Sequence, residues 1–162
     1  MNLKYLSIYL NDHLAGSTVG VELSKRAASQ NEGTEYGAFL SELAHEIAED
    51  RAALERLMDR FDVKKDRVKT TGAYLGEKVG RLKPNAHLTS YSPLSRVVEL
   101  EALTLGVTGK LGLWKALLEV ADADERLDAE ELRELAARAE SQQTGLEQQR
   151  LRATTETFTA PE

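Results

Sequence analysis

Residues 36–61 read YGAFLSELAHEIAEDRAALERLMDRF, and this stretch decides the fold. Tyr36, Leu40, Leu43, Ile47, Asp50, Leu54, Leu57 and Phe61 follow one another at alternating steps of three and four, which keeps them on one helical face. Seven of these eight are apolar or aromatic, and the eighth is a carboxylate where core is expected. Such a stripe is buried only against other helices, so the rest of the chain reads as its cover.

On the N-terminal side, Asn2 to Ser29 reads as a first long helix. Leu3, Leu6, Leu10, Leu14, Val21 and Ala28 mark one face, and Tyr5, Tyr9, Val19 and Leu23 broaden it. Gly16 and Gly20 weaken helix propensity by about 1 kcal/mol each. Tight helix packing is the expected reason, and close approach of a ligand the alternative. Asn31-Glu32-Gly33-Thr34 breaks the helix, with Gly33 suited to a left-handed residue and Thr34 to a cap. So short a connection makes the two helices antiparallel neighbours. Counting outward from the break places His13 and Asp50 at one level, with Tyr9 and Arg51 beside them.

On the C-terminal side, Asp62 to Asn85 is too long for a structureless loop, and its apolar spacing predicts a crossover helix from about Asp66 to Leu82. Gly72, Gly76 and Gly80 along it suggest close packing; its lysines and arginines read as a solvated face. Ser92-Pro93 starts a third long helix reaching about Ala121. Leu94, Val98, Leu105, Leu111 and Leu118 lie on one side of it, interrupted by Glu101, while Val97, Leu100, Leu103, Val107, Trp114 and Leu117 widen the apolar surface. Gly106, Gly109 and Gly112 again suggest packing. Asp122 to Asp128 fails as a calcium loop, since Leu127 and Arg133 stand where glycine and a bidentate glutamate are required. Asp128 instead caps a last helix whose thin stripe (Leu132, Leu135, Ala136, Ala139, Leu146) passes through Gln142 and Gln143. Whether a second copy of the chain covers that stripe is a question for a mass measurement in solution, and Thr154 to Glu162 is expected to fray.

Composition bounds the function. The 162 residues are about one domain, read as a bundle over 1–153 with a tail over 154–162. A net charge of −6 argues against a nucleic-acid partner, which needs a basic face. Zero cysteines remove disulfide scaffolds and thiolate zinc sites. Without a basic segment leading into an apolar run, neither export nor membrane spanning is expected, and the cytoplasm is the expected compartment.

Two long antiparallel helices, a helical crossover and two more helices make an all-α four-helix bundle. Together with the segments Tyr9-Leu10-Asn11-Asp12-His13, Leu43 to Arg51 and Tyr91-Ser92-Pro93-Leu94-Ser95-Arg96, this order resembles the ferritin-like superfamily, in a bacterial branch that lacks the full di-iron motif. Di-iron members carry a glutamate on each of two helices and a Glu-x-x-His pair on each of the others. Glu42-Leu43-Ala44-His45 has that spelling but the wrong phase, because Glu42 and His45 fall outside the stripe. No histidine follows His87. The resemblance therefore implies the fold and not the ferroxidase chemistry.

What remains is the polar set His13, Asp50 and Glu101. One reading is a degenerate site for iron, manganese or zinc. The favoured one is a buried structural network in which Arg51 or His13 compensates Asp50. Glu101 joins only if the third helix is antiparallel to the second. The expectation is a non-enzymatic bundle without a cofactor, acting through its surface or as a homo-oligomer. A metal-binding bundle is the alternative. A third possibility is a carrier with an inter-helix cavity near the glycines of the third helix.

Overall fold

A computed structural model describes residues 1–66 and 91–161, and among them four long helices and no strand. The expected crossover helix over 66–82 and its glycines lie outside the described residues, apart from Asp66 itself. Helix α1 spans Leu3–Gln30, α2 Gly37–Arg60, α3 Pro93–Glu119 and α4 Ala129–Phe158, with a 3-10 turn at Ala121–Ala123 between the last two.

The ends form where the local chemistry asks for them. Gly33 takes φ +75°, and the Thr34 hydroxyl accepts from the Tyr36 N–H at 3.2 Å as α2 begins. At α3, Ser92 and Ser95 form a reciprocal capping box, and Pro93 costs no hydrogen bond in the first turn. Asp128 accepts from the N–H groups of Glu130 and Glu131. The last helix continues past Thr154, because Ala153 is fully buried and Glu156 accepts from the Tyr36 hydroxyl at 2.6 Å.

All eight stripe positions of α2 are buried, Asp50 at 2% exposure included. The α3 helix turns a different face inward from the first one singled out above. Leu94 and Leu105 are exposed, while Val97, Leu100, Leu103, Val107, Trp114 and Leu117 are buried. The phase rules out Glu101 as a core carboxylate: its side chain is 53% exposed beside Arg150, and Glu99 is the buried acid instead. Leu132, Leu135, Leu146 and Gln142 of α4 are buried within the chain, chiefly against α3, so this stripe needs no second copy to cover it.

Helix directions follow from side chains that meet. Asn11 near the start of α1 binds the backbone of Lys64 and Asp66, just past the end of α2. At the other end, buried Asn31 donates to the Tyr91 hydroxyl at 2.7 Å and accepts from Arg96 at 2.6 Å. Arg26 pairs with Glu99 at 2.9 Å. Thus α3 begins where α1 ends, and α2 and α3 run parallel. The hairpin α1–α2 meets the hairpin α3–α4 along two seams, α1 with α3 and α2 with α4.

Candidate functional site

The two seams differ in kind. Between α2 and α4 polar pairs follow one another from end to end: Glu35 with Arg152, Tyr36 with Glu156, Glu46 with Gln142, Glu49 with Arg138, and Arg60 with Glu131. Between α1 and α3, with α2 as floor, lies a cavity of about 610 Å³. Gly16, Gly20, Ile47, Leu54, Leu103, Gly106, Val107 and Gly109 give it predominantly apolar walls; Trp114 also borders it. Among the described residues nothing presses closely on these glycines. A Cβ added at Gly16, Gly106 or Gly109 would meet nothing within 4 Å among the described residues, and one at Gly20 only Ile47 Cγ2 at 3.9 Å.

His13 and Asp50 both border the cavity, as their common level requires. The His13 ring stands edge-on to Tyr9, with centroids 4.6 Å apart. Burial pushes its pKa down, and Asp12 pulls weakly the other way, so the ring is neutral near pH 7. Neither His13 nor Arg51 compensates Asp50. That task falls to Lys110 of α3, which binds Asp50 Oδ2, and to Arg138 of α4, 2.5 Å from Oδ1. Burial lowers the Lys110 pKa, and the neighbouring Asp50 opposes this. Gln142 completes the group, accepting from Lys110 and donating to Asp50 at 3.2 Å and Glu46 at 2.9 Å. Among the described residues no N–H is aimed at Asp50 Oδ1 in hydrogen-bond geometry despite the close guanidinium, so its contact with Arg138 is mainly ionic.

Two cations thus flank Asp50, Glu101 faces Arg150 elsewhere, and the three residues His13, Asp50 and Glu101 do not form one donor set. No group of three His, Asp or Glu suited to a metal occurs among the described residues. His45 is exposed and pairs with Glu49, outside the stripe as its phase demands. Lys110 and Arg138 were not singled out in the sequence, yet a signal existed. Leu103, Val107, Lys110, Trp114 and Leu117 keep the four-three alternation, with the lysine at a core position.

No helix among the described residues is long and apolar enough to cross a membrane. Compared with protein-family models, curated proteins and solved structures, the chain matches none.

Proposed function

We propose that this chain is a non-catalytic bundle of the ferritin-like type, bacterial and cytoplasmic, that holds a small and mostly apolar molecule between α1, α2 and α3. The cavity carries this reading. Its volume of about 610 Å³ lies inside the range of roughly 300–1,000 Å³ usual for small-molecule sites. At three of its glycines an added Cβ would meet nothing within 4 Å among the described residues. The superfamily assignment is supported by the parallel course of α2 and α3. Absence of catalysis is supported by Asp50, Lys110 and Arg51 at the cavity each being taken up in an ion pair, with no nucleophile hydrogen-bonded to a base among the described residues.

The test is a thermal-shift and calorimetric panel of neutral apolar compounds against the wild type and Gly106→Leu. The new Cβ meets nothing within 4 Å among the described residues, and the helix favours leucine over glycine, so the variant is expected to fold with equal or higher Tm. Compounds that stabilise the wild type lose at least tenfold in affinity for the variant. A panel without a binder, or a variant that binds as well as the wild type, removes this reading.

A further inference from the structure

We infer that the outward face of the first turns of α1 docks a second copy of this chain, the two α1 helices crossing antiparallel about Ile8. The inference goes beyond the cavity and does not rest on it. Among the described residues Tyr5 is 68% exposed and Ile8 53%, with Met1 and Tyr9 exposed beside them. Together they present on the order of 400 Å² of apolar and aromatic surface, the size at which such patches mark interaction sites. Tyrosine and methionine are also residue types that protein interfaces favour.

The charges around the patch name the occupant. Lys4, Ile8 and Asp12 follow one another at steps of four and are all exposed, so they form one ridge of the helix. Tyr5 and Tyr9 belong to the ridge beside it. When such ridges of two helices lie side by side, the helices cross at about −50°, the commonest packing angle. Lys4 and Asp12 are equally far from Ile8 along the chain, on opposite sides. A two-fold axis at Ile8 therefore sets each Lys4 against the partner's Asp12, two ion pairs around an apolar centre. A parallel pairing would set lysine on lysine. With that rim, two copies bury on the order of 1,000 Å² together, the low end for a specific interface, so the dimer is a weak one.

Sedimentation equilibrium at low salt tests this over about 5–500 μM chain, a range that brackets a dissociation constant of tens of micromolar. The wild type is expected to pass from monomer to dimer across it. Lys4→Glu and Asp12→Lys each put two like-charge contacts in place of two attractive ones and weaken the dimer at least tenfold. Mixed in equal amounts, the two variants regain association close to that of the wild type, because each carries the charge the other lacks. Both positions are exposed, so both variants keep the helical circular dichroism of the wild type. A dimer that both variants keep overturns the inference, and so does a mixture that recovers nothing. A wild type monomeric throughout overturns it as well. Ile8→Asp then says what takes the face instead: a fall in Tm means cover from within the same chain, and an unchanged Tm leaves the face to a different protein.

Discussion

Asp50 is a buried charge in a small core, and such a residue is tolerable only while its partners stay. Replacing it with leucine strands Lys110 between Gln142 and apolar walls. Breaking one side of a buried pair costs about 3–5 kcal/mol. Asp50→Leu should lose that much in urea denaturation, and the double variant Asp50→Leu/Lys110→Met should recover most of it, since apolar residues of similar volume can replace a buried pair. A double variant no more stable than the single one would mean that Arg138 is the partner that matters. Two tyrosine hydroxyls add a pH signature. Burial, with Glu156 accepting its proton, pushes Tyr36 up to about 12, and burial does the same for Tyr91 beside Glu99. Both folded pKa values lie above the free phenol, so the fold favours the protonated form. That stability is complete below about pH 10 and is lost as pH climbs toward 12, at most roughly 1.4 kcal/mol per unit for each. Denaturation at pH 9 and pH 11.5 checks the sign.

At the scale of the helix, glycines that look alike in the sequence are not equivalent. A Cβ at Gly112 of α3 meets nothing within 4 Å among the described residues, whereas one at Gly145 of α4 would stand 2.5 Å from the Phe39 ring. Gly112→Ala is expected to raise stability by about 1 kcal/mol. Gly145→Ala loses that gain to the displaced ring, and equal Tm changes in the two would contradict the packing described. Helix α2 was legible because its apolar residues permit one phase only. Helix α3 was not, since apolar residues on both sides leave periodicity without a preferred face, and Leu105 and Glu101 then passed for core. Of the site, Asp50 declares itself by interrupting a stripe, and His13 by its distance from the turn. Lys110 and Arg138 stayed hidden because long stems let a charge act far from its own Cα. The direction of α3 depends on Asn31, Tyr91 and Arg96 meeting across sixty residues, which no local pattern encodes.

For the molecule as a whole, the hairpins are joined by one seam of ion pairs and another that opens into the cavity. Arg60–Glu131 and Arg152–Glu35 are solvent-accessible, so each is worth at most about 1 kcal/mol and is screened by salt. Raising sodium chloride from about 0.05 to 0.5 M should therefore cost no more than roughly 2 kcal/mol. A larger loss would mean that screening reaches the Asp50 group. That group has a consequence for inheritance. Asp50, Lys110 and Arg138 stand on three separate helices yet balance a single charge account, so a change at one is tolerated only alongside a change at another. In any lineage that keeps this bundle, those codons are expected to drift in concert while the leucines around them trade freely for other aliphatics.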